Sequence, residues 1–245
     1  MTSIDLNCDV GEGAGLEAQL LPLVTSANVA CGAHAGDAVT MAETLRLAGL
    51  NNVVVGAHPG FADRANFGRV ELPLSKSKLQ RLLWEQLEAL QKHGGFHYVK
   101  PHGALYNMAA RDVAVAKTIV GAIKGFDDSL GLLALAGSVL WREGDAAGLN
   151  TKAEAFADRA YDGDGRLVSR LQPNALLPTA EAAAEQVLEM VTNGRVRSVA
   201  ETWVPLRSDS ICLHGDNIKA VEFAHCLRSA LTQAGLTLRS CWNTS

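Results

Sequence analysis

Four of the seven histidines follow short apolar runs that are typical of buried β-strands. A histidine side chain can exchange a proton near neutral pH and can also bind a metal ion. Carboxylates and one lysine stand at similar positions after other apolar runs, which favours one shared polar site over several unrelated structural roles. The residues that we predict to take part in catalysis are Asp9, His34, His58, Lys100, His102, Asp158 and His214.

The first apolar run carries the densest set of polar side chains, in the stretch DLNCDVGE from Asp5 to Glu12. In a β-strand, alternate side chains point to opposite faces, so Asp5, Asn7 and Asp9 share one face. Burying two carboxylates and an amide on one face costs free energy unless each group is paired or contacts a ligand. The pattern therefore predicts that this face lines a functional site.

Predicted strands alternate with predicted helices along the chain. This alternation favours a parallel α/β fold, in which active sites lie at the carboxyl ends of the strands. The polar residues fall in phase at those ends, and a closed barrel would bring them together, whereas an open sheet would spread them out. We expect one domain over residues 1–245. The predicted strands are 4–10, 26–32, 52–56, 96–100, 130–136, 151–157 and 210–213.

Composition narrows the class of protein. The net charge is −4 and no run of lysine or arginine stands out, so a nucleic-acid partner is not expected. No apolar run is long enough to span a bilayer, and the first residues do not resemble a secretory leader. The five cysteines form no CxxC pair, which favours reduced thiols. We therefore expect a cytoplasmic protein that uses neither a membrane nor nucleic acid as a partner.

Several polar residues also have ordinary structural interpretations. Asp37 could cap the helix that follows it, a role compatible with ligand contact. Arg64 and Arg69 could be solvated, although two guanidiniums in a glycine-rich loop also suit capture of a carboxylate. Residues 162–176 predict a surface loop or lid. The chain lacks the phosphate-binding pattern GxxxxGK[ST] and any recognised spacing of metal ligands, so we predict no metal site.

The motifs, taken together, resemble those of the LamB/YcsF family. Ala62 and the pair Ala65–Asn66 stand where that family more often has proline and glycine, a change that we expect to alter only this loop. The motifs that carry the resemblance are DLNCDVGE, NVACGAHAGD at 28–37, GAHPGF at 56–61, VKPHGALYN at 99–107, EAFADRAY at 154–161 and ICLHGD at 211–216.

The resemblance implies a fold and a reaction. The fold is an irregular seven-stranded parallel β/α barrel, TIM-like and of the glycoside hydrolase/deacetylase type. The reaction is the ATP-dependent ring opening of 5-oxo-L-proline to L-glutamate, carried out together with subunits B and C. Since the chain has no recognisable phosphate loop, we expect ATP and Mg²⁺ to be bound by those partners. The predicted substrate-binding residues are Asn7, Glu12, Asn28, Asp37, Arg64, Arg69, Asn107, Glu154, Arg159 and Asp216.

Two alternatives to this reaction stay open at the level of the sequence. The first is a metal-dependent carbohydrate deacetylase, suggested by the fold type and by the histidine and aspartate content. The second is a lactam-binding subunit without catalytic activity. The abundance of proton-transfer groups favours an enzyme over a binding subunit.

Overall fold

The computed structural model describes residues 3–213 and 219–242, so the predicted site residues His214 and Asp216 lie outside the described chain. Seven parallel strands of the described chain form a closed barrel in the order β1-β2-β3-β4-β5-β6-β9, which confirms the predicted fold class. The strands are β1 Ser3–Val10, β2 Ser26–Ala30, β3 Val54–His58, β4 Tyr98–Val99, β5 Gly131–Leu135, β6 Thr151–Phe156, β7 Arg195–Arg197, β8 Trp203–Pro205, β9 Ser210–Leu213 and β10 Thr237–Leu238.

Helices cover the outside of the barrel and pack against its strands through apolar faces. In the long amphipathic helix α3, Leu79, Leu83, Leu87 and Leu90 recur at helical spacing and are buried. The helices are α1 Glu17–Leu20, α2 Ala38–Leu50, α3 Lys76–Gln91, α4 Gly103–Ala109, α5 Val113–Phe126, α6 Val139–Ala146, α7 Ala180–Asn193 and α8 Ala220–Gln233, with 3₁₀ turns at Leu21–Leu23 and Arg64–Asn66.

Side-chain caps start most of the longer helices, as the sequence predicts. Asp37 accepts the backbone N–H of Thr40 and so begins α2. Ser75 and Asp112 accept backbone N–H groups at the starts of α3 and α5 in the same way. Such caps satisfy amide groups that have no partner within the helix. They fix where each helix begins and therefore how long each strand-to-helix loop is.

Strand register carries polar side chains into the barrel. Residues opposite each other in β1 and β2 include Asp9 and Asn28, and β1 pairs on its other side with β9. Because the pleat has a period of two, Asn7 and Asp9 face the interior together. The barrel interior therefore contains a polar layer where a packed apolar core would be expected.

Four elements were not expected from the sequence. β7 and β8 form an antiparallel hairpin outside the barrel, and β10 pairs in parallel with the start of β1. The helix α4 follows the end of β4 directly. All four are short, and short elements depend on tertiary packing more than on intrinsic propensity.

The segment 162–176, which we call the lid segment, contains no helix or regular strand. Isolated bridges join Arg159 to Leu176 and Tyr161 to Leu167, so the loop folds back on its own base. Leu171 at its tip is 96% exposed. The prediction of a surface loop is confirmed. Within the described chain, no helix combines the length and the apolar character needed to cross a bilayer.

Candidate active site

A buried lysine joins three strands of the barrel. Lys100 follows β4 and is only 2% exposed. Its Nζ atom lies 2.8 Å from Asp9 Oδ1 on β1 and 2.8 Å from Glu154 Oε1 on β6. Burial acts to lower the pKa of Lys100, but the Asp9 and Glu154 carboxylates outweigh it and hold that pKa well above its usual value. The barrel therefore holds a permanent cation between two carboxylates.

Two further side chains complete the surroundings of this cation. Tyr106, on α4, donates its hydroxyl to Glu154 Oε2 at 2.6 Å. Lys100 Nζ donates to Cys212 Sγ at 3.1 Å. Burial raises the pKa of Cys212 well above its usual value despite the adjacent ammonium, so the thiol is neutral. Cys212 thus serves as a neutral hydrogen-bond acceptor and not as a nucleophilic thiolate.

An amide network beneath the cation fixes the Asp9 carboxylate. Asn28 Nδ2 donates to Asp9 Oδ1 at 2.8 Å and to Asn7 Oδ1 at 2.7 Å. The Tyr98 hydroxyl donates to Asn28 Oδ1, and Asn7 Nδ2 donates to Ser210 Oγ, each at 2.7 Å. Asn7 and Asn28 are fully buried. Networks in which every member has a partner rigidify a polar core, so Asp9 is held in one position.

Three of the predicted histidines form a compact cluster above Asp9. The rings of His34 and His102 stack with centroids 3.8 Å apart and planes within 3° of parallel. The His58 ring stands edge-on, 5.0 Å from that of His102. Glu12 Oε1 lies 3.3 Å from His34 Nε2. Burial lowers the pKa of His34 and, more strongly, that of His102, so these two imidazoles are neutral near neutral pH.

His58 differs from the other two histidines in its surroundings. Its Nδ1 lies 2.7 Å from the Lys100 carbonyl oxygen, which can only accept, so Nδ1 carries the proton. In the neutral ring, Nε2 therefore presents a lone pair, 3.5 Å from Asp9 Oδ1. Burial lowers the pKa of His58, but the charge of Asp9 outweighs burial and the net shift is upward. His58 is thus oriented and suited to accept a proton.

Two glycines let the loops approach this cluster closely. A Cβ at Gly60 would lie 2.8 Å from His34 Nδ1, and a Cβ at Gly68 would lie 2.8 Å from the His34 Cβ. Gly68 also has a φ of +63°, a conformation that side chains disfavour. The loop after β3 therefore packs directly on the stacked histidines because it carries glycine at these points.

Three residues of the cluster also suit a metal ion by ligand type. Glu12, His58 and His102 each offer one ligand atom, and these atoms all lie within 4.8 Å of one another. They are far apart in the sequence, so no spacing rule predicts them as a group. The sequence-based prediction of no metal stays untested.

Several residues predicted to bind substrate lie outside the buried cluster in the structure. Arg64 donates to the carbonyls of Gly32 and Gly36, both at 2.8 Å, and so links two loops. Asp37 is exposed and caps α2. Asn107 is exposed on α4. The contacts described for these three residues do not include the buried cluster, since Arg64 and Asp37 are engaged elsewhere and Asn107 is exposed.

Two neighbouring residues at the end of β6 differ in role. Arg159 donates to the carbonyls of Val168 at 2.6 Å and of Ala175 at 3.3 Å, so it supports the lid segment. Burial, with the nearby Arg170, lowers the pKa of Arg159 to about 10. Asp158 is 9% exposed, at the same end of the barrel as the cluster.

Arg69 lies over the Phe67 ring at 4.9 Å, beside the stacked histidines, and stays a candidate for binding a substrate carboxylate.

Sequence reasoning missed four residues of this site. Tyr106, Tyr98 and Ser210 supply hydroxyl groups to the buried network, and Cys212 was interpreted only as a small apolar residue. The signal for Tyr106 was its place beside Asn107 within the motif VKPHGALYN. Cys212 shares a strand phase with His214 and Asp216, which was a signal for it, whereas nothing in the sequence around Tyr98 and Ser210 indicates their partners.

Comparison with known proteins places this barrel in a family. The model of the LamB/YcsF family matches residues 4–245. The chain belongs to the LamB/YcsF family. The A subunit of 5-oxoprolinase from Tolumonas auensis is 48% identical over 250 residues, which cover 98% of this chain and 100% of that relative.

Two solved structures also resemble this LamB/YcsF chain. A lactam utilization protein from Thermus thermophilus superposes with a TM-score of 0.91 and 41% identity, covering 97% of this chain and 99% of that one. A T48 deacetylase with substrate gives a TM-score of 0.54 at 14% identity, covering 97% of this chain and 87% of that one. The second likeness shows the fold alone: that deacetylase has the same kind of barrel.

Proposed function

We propose that this chain is the A subunit of an ATP-dependent 5-oxoprolinase. The observation that carries the proposal is the buried Asp9–Lys100–Glu154 ion triplet beside His58, at the carboxyl ends of the barrel strands. A relative named as the A subunit of 5-oxoprolinase matches over nearly the whole length of both chains, which supports the same role here. The proposed reaction converts 5-oxo-L-proline, ATP and two water molecules to L-glutamate, ADP and phosphate.

The side chains at the strand ends match the steps of ring opening. A five-membered lactam is a stable amide, so its hydrolysis needs an activated water, a stabilised oxyanion and a proton for the departing nitrogen. His58 Nε2, beside Asp9, suits removal of a proton from water, and the same proton can then pass to the ring nitrogen. Lys100 suits stabilisation of the oxyanion, because a cation fixed between strands needs no reorganisation as charge develops.

The remaining residues of the cluster would hold the substrate. Glu12 and the neutral His34 and His102 offer hydrogen-bonding groups above the reacting centre. Arg69, beside the stacked histidines, suits the substrate carboxylate, since a guanidinium binds carboxylates in a bidentate manner. Substrate contact by Arg64, Arg159, Asp37 and Asn107 is less well supported, given the contacts described above.

The proposal also assigns a chemical role to ATP. Phosphorylation of the lactam oxygen by ATP would release ADP and give a better electrophile than the amide itself. Addition of one water and cleavage of the ring C–N bond would then leave an acyl phosphate, which a second water would hydrolyse to glutamate and phosphate. Since the sequence has no phosphate-binding loop, we assign ATP and its Mg²⁺ to subunits B and C and the hydrolytic step to this chain. A phosphorylated lactam is labile in water, so the partners should dock near the barrel mouth, where the 61–73 loop and the lid segment lie. A cytoplasmic location fits the supply of ATP.

The first experiment reconstitutes the complex. Glutamate and ADP release are assayed with this chain alone and then with subunits B and C added. We expect neither product from the chain alone and both, in a fixed ratio, from the complex. ATP-dependent glutamate formation by the chain alone would place the ATP site in this chain and contradict the proposed division of labour.

The second experiment tests the site within that complex. Asp9→Asn keeps the shape and removes the charge, and His34→Ala removes one ring of the stacked pair. Each should lower the rate about 10²-fold or more, the usual scale of general acid–base catalysis. His97→Gln, an exposed histidine before β4, is the matched control and should keep the full rate. Near-normal rates in both site variants, with 5-oxoproline still bound, would favour the lactam-binding subunit.

A further inference from the structure

Each of the three histidines has one buried ring nitrogen without a hydrogen-bond partner in the described part of the chain: His34 Nδ1, His58 Nε2 and His102 Nδ1. His58 is 1% exposed, and its Nε2 has no hydrogen-bond partner in the described part of the chain. Its Nδ1 donates to the Lys100 carbonyl, so the Nε2 lone pair is fixed toward the centre of the cluster. A buried imidazole oriented by a backbone carbonyl through its other nitrogen is the usual arrangement of a metal-bound histidine. The buried lone pair lies 3.5 Å from Asp9 Oδ1, beyond the usual length of a hydrogen bond, and so is available to a ligand.

The other two ligand atoms stand around the same point. Glu12 Oε1 lies 3.9 Å from His58 Nε2 and 3.6 Å from His102 Nε2. These separations exceed the roughly 2.7–3.2 Å of a hydrogen bond. Ligand atoms about 2.1 Å from a tetrahedral ion lie about 3.4 Å apart, so small side-chain shifts would fit the three atoms to one ion. The spacing therefore fits a shared cation better than direct hydrogen bonds.

The charges around these residues also favour a bound cation. The ionic contacts described for Glu12 are all to histidines, whereas Asp9 and Glu154 share the single ammonium of Lys100. In the described part of the chain, Glu12 therefore lacks the lysine contact that Asp9 and Glu154 have. A divalent cation would neutralise the charge of this carboxylate.

We infer that Glu12, His58 and His102 form a binding site for one divalent first-row transition metal ion. Two imidazoles and one carboxylate leave a coordination position open to water, a ligand set that is characteristic of catalytic zinc sites, so Zn²⁺ is the expected ion. His34, 3.3 Å from Glu12 Oε1, would orient that carboxylate from outside the ligand set. With the ion bound, the His58 Nε2 lone pair belongs to the metal, so the proton acceptor of the proposed reaction would be Asp9, 3.5 Å away, and not His58. The inference concerns the proposed active site but does not depend on the lactam reaction, because ion binding is measured directly.

The test uses the full chain after removal of metal with a chelator. Calorimetric titration with Zn²⁺ should give about one ion per chain. Glu12→Gln and His58→Gln should each weaken Zn²⁺ binding by about 10²-fold or more. Replacing a residue outside the ligand set usually weakens metal binding by only about 10-fold to 10²-fold, and a ligand should matter at least as much. His97→Gln, an exposed histidine before β4, should bind as the unmodified chain does.

A second measurement needs no variant and so does not depend on folding of the mutants. The histidine ring signals are followed residue by residue by NMR spectroscopy, with and without Zn²⁺. Zn²⁺ should shift the ring signals of His58 and His102 and leave those of His97 unchanged. Absence of binding to the unmodified chain, equal binding by the two site variants and the unmodified chain, or ring signals of His58 and His102 that do not move would each overturn the inference.

Discussion

Replacing Lys100 by methionine tests the ionic interpretation of the barrel interior. The change keeps most of the side-chain volume but removes the ammonium that lies 2.8 Å from Asp9 Oδ1 and from Glu154 Oε1. Both carboxylates would then stay buried without their cation. Removing one partner from a buried ion pair costs about 3–5 kcal/mol, because the other charge is left uncompensated.

The expected size of the effect follows from that penalty. For a domain of this length, 1 kcal/mol corresponds to about 2–4 °C in the melting temperature, so Lys100→Met should lower it by about 6–20 °C. The free energy of unfolding is measured by urea denaturation at pH 7. Lys117→Met, at an exposed position of α5, is the control and should change stability by less than about 0.5 kcal/mol.

A double-mutant cycle separates charge from packing. Adding Glu154→Gln to Lys100→Met removes one of the two stranded charges. We expect the double variant to be about 1–3 kcal/mol more stable than the sum of the single effects predicts. A loss below about 1 kcal/mol for Lys100→Met, or strict additivity in the cycle, would refute the proposed ion triplet.

Two further predictions concern the loop above the histidines and the base of the barrel. Gly60→Ala should reduce oxoprolinase turnover of the reconstituted complex about 10-fold to 10²-fold, because the new Cβ would lie 2.8 Å from His34 Nδ1. Gly95→Ala is the control: its Cβ would have nothing within 4 Å, so turnover should not change. Burial raises the pKa of Asp5 above its ordinary 3.8, although hydroxyl donors act to lower it, so the folded chain keeps a proton that the unfolded chain has lost. Its contribution to stability is present below pH 3.8 and is lost as the pH rises through the folded pKa. The free energy of unfolding of the unmodified chain and of Asp5→Asn is measured by denaturation in steps upward from about pH 4. The unmodified chain should lose stability relative to the variant as the pH rises, and a constant difference would contradict the raised pKa.

Local patterns in the sequence predicted most of the fold. The alternation in β1 placed Asn7 and Asp9 on one face, and both point into the barrel. Asp37, Ser75 and Asp112 marked helix starts correctly. These signals act over a few residues, through pleat geometry and backbone capping, so they survive without knowledge of the tertiary fold. Family motifs then supplied the seven-stranded barrel.

The sequence also indicated which strand ends carry chemistry, but not which side chains meet there. His34, His58 and His102 do lie together, as predicted from their equivalent positions. Arg64 and Arg159 have the same residue type as a carboxylate-binding group, yet each holds backbone carbonyls of neighbouring loops. A guanidinium reaches several Å from its backbone, so its partner depends on how the loops pack.

Chain order alone could not reveal the partners inside the barrel. Lys100 meets Asp9 and Glu154 because β4 lies across the closed barrel from β1 and near β6, and that closure brings together groups far apart in the sequence. Glu12, His58 and His102 converge for the same reason. The sequence thus determined the elements, the polar faces and the end of the barrel that carries the site. The tertiary structure decided the pairings, since strand closure and loop packing, and not local propensity, set which charges are neutralised and which lone pairs are left to a ligand.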